Sequence, residues 1–255
     1  MAGNSLEPGV SVSKRLLAVL GCFDVRHPRL TLTDIARRAD LPLSTAHRLT
    51  AELVAWGALD RDDAGSYAVG RRLWDLGLLA PVQRGLREVA APHLQDIHAA
   101  TRETVHFAVR DGDRALYLER ISGNRSVRVV SHVGARLPLH TTGVGKVLLA
   151  HAPDEVVTDA LEQLTRETRY SVIEPTRLER QLAEVRRRGY ARTAEEMTLG
   201  TCSVAVPVLG PGGDVVAAVG IVVPSTHRNL PRLVPALRVA AAAIGRQLEP
   251  TQAFH

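Results

Sequence analysis

Apolar positions in the first 60 residues recur at three- and four-residue spacing in three blocks, each ended by a residue that stops a helix. Val12, Leu16, Val19 and Phe23 mark one face of a first helix beginning at Ser11. In PRLTLTDIARRAD, Leu32, Ile35, Ala36 and Ala39 form the inner face of a second, capped by Thr31 or Thr33. Leu41-Pro42-Leu43 ends it, because proline disfavours helical geometry in the residue before it. Ser44 is the expected N-cap of a third helix, with Ala46, Leu49, Leu53 and Trp56 inward and Gly57 as its stop. Two short arms, Leu59 to Arg61 and Tyr67 to Val69, then flank an Asp/Gly turn. Helix, helix, tight turn, helix and small hairpin is the order of a winged helix-turn-helix.

Residues 71–100 read mainly as helix, interrupted near Pro81 and Pro92, and serve as a linker into a second domain. Strand-like runs follow at TVHFAV (104–109), ALYLERI (115–121) and SVRVVS (126–131), with DGD and GN supplying turns. RLPLHTTGVGKVLLAH is a loop entering a helix at about Thr142. PDEVVTDALEQL and EPTRLERQLAEVRRRG are helical, the second closed by Gly189. GYAR, TCSVAVPVL and DVVAAVGIVVP give further strands, and RLVPALRVAAAAIGRQL a last helix. Hairpins, then helices, then strands again predict an α+β domain with a largely antiparallel sheet. The expected divisions are a flexible tail at 1–10, a DNA-binding domain at 11–70, a linker helix at 71–90 and a second domain at 91–250.

Composition narrows the function. The 255 residues carry a net charge of +5, which leans toward anionic partners, and the only lysines are Lys14 and Lys146. No run approaches the roughly 18 apolar residues of a membrane span, and MAGNSLEPGVSVSK lacks the features of a secretory signal. Cys22 and Cys202 are the only cysteines, which excludes a disulfide framework and fits a reducing cytoplasm.

The third helix has an unusually polar tip. In a helix-turn-helix the second helix enters the major groove, and its first residues meet base edges. Ser44, Thr45, His47 and Arg48 then become the reading head, with Arg48 able to grip guanine O6 and N7. Thr31 and Thr33 begin the helix that crosses the phosphates, Lys14 and Arg15 begin the first, and Arg61 in the hairpin reaches the minor groove. In the second domain TTGVGKVLL fails as a phosphate loop, because His140 and Val147 stand where glycine and a hydroxyl are required. It fails as a dinucleotide fingerprint too, since Leu148 holds the third glycine position. What survives is a helix start whose open amides suit a carboxylate. Glu195, Glu196 and Cys202 raise the alternative of a small-molecule hydrolase or transferase, without a local catalytic signature. His106, His132 and His140 have no metal-ligand spacing, so neither a metal nor a cofactor is expected. A sensor that binds a protein partner instead of DNA is a further alternative.

Taken together, SVSKRLLAVL, TLTDIARRADLPLSTAHRLTAELVAWGAL, YAVGRRLWDLG, RLPLHTTGVGKVLLAH, RRRGYARTAEEMTLGTCSVAVPVL and VVAAVGIVVP resemble the IclR-type bacterial transcriptional regulators from about Ser11 to Leu248. The resemblance implies a winged helix-turn-helix, a linker helix and an effector domain similar to GAF domains. It implies dimers or tetramers on a pseudo-palindromic operator, and a small carboxylic acid as effector. Carried onto this chain, it selects Thr142, Gly143 and Val144 on one side of the effector and Met197, Cys202 and Ser203 on another, with Val129, Gly220 and Val222 completing the wall. Relatives with very small effectors carry an acidic side chain where Thr193 or Ala194 stands and hydroxyls on the last strand. Here that strand reads Gly220-Ile221-Val222. A less polar pocket with few partners for extra hydroxyls is therefore expected, together with an aromatic, hydroxybenzoate-like acid. The expected role is a repressor of a catabolic operon; the alternative is an activator that senses an aliphatic keto acid.

Overall fold

Strand alternation governs the larger part of this chain, because its sheet is covered on both faces and each strand must supply two apolar surfaces. The computed structural model describes residues 11–24, 27–77, 81–123, 126–127, 129–227 and 229–248. The chain divides into two units, 1–80 and 81–255. The tail expected at 1–10 lies outside the described residues.

The first unit contains α1 (Val12–Leu20), β1 (Arg29–Leu30), α2 (Leu32–Arg38), α3 (Leu43–Trp56), β2 (Leu59–Arg61), β3 (Tyr67–Val69) and α4 (Arg71–Gly77). Val19, Ile35, Leu49, Leu53, Leu59 and Tyr67 close its core, and the strands order β1-β3-β2, all antiparallel. Thr31, not Thr33, caps α2, accepting from the Asp34 amide at 3.2 Å. Gly57 ends α3 at φ +85, a conformation that glycine takes without a Cβ penalty.

Two expectations about α3 need correction. Pro42, not Ser44, holds the N-cap position, and no side chain caps the helix. The ring fixes φ near the value this position adopts, so the helix starts at once and Ser44 is already in its first turn. Trp56 faces outward, 43 % exposed, with the Arg72 guanidinium 4.2 Å above its ring. The Arg72 cation–π contact takes the place of burial.

The second unit begins with α5 (Pro81–Thr101) and continues through β4 (Thr104–Asp111), β5 (Arg114–Ile121), β6 (Arg136–Pro138), α6 (Gly143–Ala150), α7 (Asp154–Glu162), α8 (Pro175–Arg188), β7 (Ala191–Ala194), β8 (Thr201–Leu209), β9 (Val215–Pro224) and α9 (Val234–Gln247). Its sheet runs β6-β5-β4-β9-β8-β7, antiparallel throughout. On one face Phe107, Val204, Val219 and Ile221 pack with Leu94 and Ile97 of α5 and Leu237 and Ile244 of α9. On the other, Ala108, Tyr117, Ala205 and Ala218 lie under Val147 and Leu148 of α6 and Leu178 and Leu182 of α8. Each such fully buried Leu, Ile or Phe contributes about 1.5–3 kcal/mol over its exposed state.

Here too the pattern misleads in places. None of the described residues of 126–131 is in a strand; the third strand is Arg136–Pro138 instead. Pro92 lies inside α5 without interrupting it. Leu86 and Ala90, placed by sequence in the linker, are buried in the second unit's core. Their heptad-like face reads the same whether it meets a sheet or a linker's partner.

Candidate functional site

Two arrangements carry chemistry, one in each unit. In the first unit, burial of Ala46, Leu49, Thr50 and Leu53 turns the opposite stripe of α3 to solvent, so Ser44, His47 and Arg48 are exposed together and Thr45 lies half-buried beside them. Arg48 meets Glu52 one turn on at 2.7 Å, an exposed pair that gives way readily to a stronger anion. Thr31 has both roles of its hydroxyl occupied, capping α2 and donating to Asp34 at 2.7 Å. That bond, helped by Arg37 and Arg38, holds the Asp34 carboxyl below its usual range. Thr33 and Lys14 are exposed and Arg15 is half-buried. Arg61 stacks over the Tyr67 ring at 5.5 Å, at the hairpin.

In the second unit a cavity opens between the start of α6 and the sheet, with about 470 Å³ of empty space including its mouth. Thr142 caps α6, its hydroxyl accepting from the Gly145 amide at 3.1 Å. The first amides of the helix, those of Gly143 and Val144, have no intrahelical acceptor and can meet an anion. Glycine is needed at 145, where a Cβ would lie 2.4 Å from the Leu139 carbonyl; at 143 a Cβ would lie 2.6 Å from the Ser203 hydroxyl and force that group to turn away.

Val129, Thr142, Gly143, Val144, Met197, Ser203, Gly220 and Val222 all line this cavity. Cys202 does not. Neighbouring residues of a strand point to opposite faces, so with Ser203 toward the cavity the Cys202 side chain enters the core beneath α5 and α9. Burial pushes its thiol pKa up, the reverse of an activated nucleophile.

Sequence reasoning also missed much of the wall. His106, Tyr117, Ser131 and Thr193 line the cavity, with further hydroxyls from Thr141, Thr198 and Thr201. The expectation of few polar partners is thereby corrected, because the hydroxyls come from β5, β7, the start of β8 and the connecting segments rather than from the last strand. Thr193 and Ser203 share a 2.6 Å hydrogen bond across β7 and β8. His106 Nε2 lies 2.7 Å from the Ser131 hydroxyl and its ring stands edge-on to Tyr117, centroids 5.0 Å apart. Burial, with Arg120 nearby, lowers the His106 pKa to about 3, so the ring is neutral at physiological pH. Burial also pushes the Tyr117 phenol well above its usual value, so it remains a donor. The signal for His106 was a histidine at an inward position of an apolar strand. His140, grouped with it as a metal candidate, instead bonds the Thr165 carbonyl at 2.9 Å.

Behind the cavity Lys146, 1 % exposed, meets both Glu196 oxygens at 2.7 and 2.8 Å and Gln181 at 2.7 Å. This ties α6 to α8 and to the loop that carries Met197. Burial pulls the Lys146 ammonium pKa down and pushes the Glu196 carboxyl up, each opposed by the other's charge.

A helix-turn-helix unit joined to a unit with an uncharged, hydroxyl-lined cavity defines a DNA-binding protein that responds to a small ligand. The comparisons agree. Residues 14–63 match the IclR helix-turn-helix domain and residues 80–246 the bacterial transcriptional regulator IclR C-terminal domain. The HTH-type transcriptional regulator XynR of Escherichia coli (strain K12) is 32 % identical over 84 % of this chain and 86 % of its own. BhcR of Paracoccus denitrificans is 32 % identical over 88 % and 81 %. Among solved structures, an IclR homologue from Microbacterium hydrocarbonoxydans complexed with 4-hydroxybenzoate is 37 % identical, with TM-score 0.89 over 93 % of this chain and 99 % of that one. This chain belongs to the IclR family of bacterial transcriptional regulators. It is a ligand-responsive regulator and not an enzyme.

Proposed function

We propose that this regulator is a homodimeric or tetrameric cytoplasmic repressor of a catabolic operon, released from its operator by an aromatic carboxylate of the hydroxybenzoate kind. The observation that carries the reading is the cavity's mixed wall. The open amides at the start of α6 suit a carboxylate. Val129, Val144, Val222 and the Met197 thioether suit a ring. The neutral His106 with Ser131, and Thr193 with Ser203, suit a ring hydroxyl. The relative crystallised with 4-hydroxybenzoate supports the same class. Ligand and operator affinities must then be linked reciprocally, each favouring a different arrangement of the protein.

The test is an anisotropy titration with DNA from upstream of the protein's own gene, with and without benzoate, 4-hydroxybenzoate, pyruvate and glyoxylate. Release by 4-hydroxybenzoate alone supports the reading. Release by the aliphatic acids alone overturns the ligand class, and tighter binding with ligand overturns the repressor role. Gly143→Ala improves intrinsic helix propensity yet drives a Cβ into the Ser203 hydroxyl. It is expected to weaken 4-hydroxybenzoate about tenfold or more, seen as a shifted dose response, with operator affinity unchanged.

Ser44, Thr45, His47 and Arg48 are proposed to read bases, and Lys14, Arg15, Thr33 and Arg61 to hold phosphates or the minor groove, while Thr31, its hydroxyl committed to Asp34, sets the start of the helix that crosses the phosphates. Arg48→Ala should cost about 1–3 kcal/mol on the operator and much less on random DNA. Equal losses on both, with a shallower salt dependence, would make Arg48 a phosphate contact.

A further inference from the structure

A buried phenol reaches the start of α6 from the opposite side of the cavity to β8. Tyr117 stands on β5, three strands from β8 in the sheet order, and is 2 % exposed. Its ring stands edge-on to His106 of β4, and its phenol lies beside the hydroxyl of Thr142, the cap of α6. The first turn of α6 rests on the other strands: a Cβ on Gly143 would meet Ser203 of β8, and one on Gly220 of β9 would meet Val144. The Gly143 and Val144 amides and the Tyr117 phenol therefore border one space.

Most hydroxyls of that space are already engaged. Ser131 is bonded to His106 and Thr193 to Ser203. Thr141 donates to the Met197 sulfur at 3.3 Å and Thr201 to the Thr198 carbonyl at 2.7 Å. Thr142 accepts from the Gly145 amide and donates to the Pro138 carbonyl at 3.4 Å. The phenol of Tyr117 has no hydrogen-bonding neighbour among the described residues other than that Thr142 hydroxyl. Its direction is nonetheless fixed. The Tyr117 amide donates to the Ala135 carbonyl at 2.9 Å, its carbonyl accepts from the Gly134 amide at 2.8 Å, and the residue pairs with Ala108 across the strands. A tyrosine has few torsions to order, so a phenol held in this way donates at little entropic cost.

We propose that the Tyr117 phenol donates to the carboxylate of the effector, completing with the Gly143 and Val144 amides a seat of three neutral donors. The assignment rests on the effector reading above and adds the side chain that recognises the acid. A carboxylate entering a cavity whose wall carries no charge gives up its water, and charge-assisted hydrogen bonds from such donors offset that loss.

Calorimetric titration of the parent and of Tyr117→Phe with benzoate and with 4-hydroxybenzoate tests the assignment. The variant removes one oxygen and keeps the ring against His106, so it is expected to fold as the parent does, checked by thermal unfolding. Loss of the donor should weaken both acids by the same factor, about tenfold or more. Weakening of 4-hydroxybenzoate alone would seat the phenol on the ring hydroxyl and overturn the assignment. Unchanged affinity for both acids would make Tyr117 a wall residue, overturning the assignment while the effector reading stands. A parent that binds neither acid removes the effector reading and this assignment with it.

Discussion

Lys146→Met is expected to cost about 3–5 kcal/mol of unfolding free energy, the effect of stranding a charge in the interior. Glu196 is 6 % exposed and loses in the variant its only cationic hydrogen-bond partner among the described residues. Urea unfolding at pH 7 measures the loss. Adding Glu196→Gln to the same chain should recover most of it, since an amide carries no charge to desolvate. The sign of the pH dependence is a second readout. With Lys146 gone, burial raises the Glu196 pKa further above its unfolded value of 4.5, against only the smaller pull of Arg177 and the Ala194 backbone, so the native state holds a proton that the unfolded state lacks. The stability deficit of the single variant relative to the parent should therefore shrink as pH falls toward 4.5, beneath the His106 dependence that both share. Full stability in the single variant, or no recovery in the double, would mean that the pair does not hold α6, α8 and the Met197 loop together.

The second large effect is acid sensitivity from His106. Its pKa is about 3 folded against 6.5 unfolded, so between these values the unfolded chain takes up a proton that the folded chain refuses. The stabilisation is complete above pH 6.5 and is lost at up to about 1.4 kcal/mol for each pH unit below it. At pH 4.5 the deficit reaches about 2–3 kcal/mol. His106→Gln keeps a polar group facing Ser131 but cannot protonate. Its acid limb, followed by urea unfolding at pH 7, 6 and 5, should be flatter than that of the parent by this amount. Parallel limbs would place the titrating histidine elsewhere.

Much of this molecule was legible along the chain. The three helices and hairpin of the first unit follow from residues interacting within a few positions of one another: Thr31 with Asp34, Gly57 with the last turn of α3, Tyr67 opposite Arg61. The exposed stripe of α3 follows from the same spacing. So do Thr142 as a cap and the small residues after it. Where reading failed, the deciding partner was remote or equivalent by pattern. Ser44 and Pro42 both suit a helix start. SVRVVS and RLP both suit a strand, and only the pairing of Arg136–Pro138 with β5 chooses between them. Trp56 reads as core until Arg72, sixteen residues on, is found over its ring.

By itself, the sequence determined the two-part architecture, the family and the polar helix tip, because each rests on short-range periodicity or on residue order. The tertiary structure decided the chemistry of the cavity. Strand parity sends Ser203 inward and Cys202 away, although nothing local distinguishes a one-residue slip. Sheet order brings His106 of β4 and Thr193 of β7 into one wall across more than 80 residues of chain, and it closes Lys146 onto Glu196 fifty residues later. Such groups gain their properties from desolvation and from neighbours supplied by other elements, so neither the neutral histidine nor the buried ion pair exists until the sheet and its covering helices are in place.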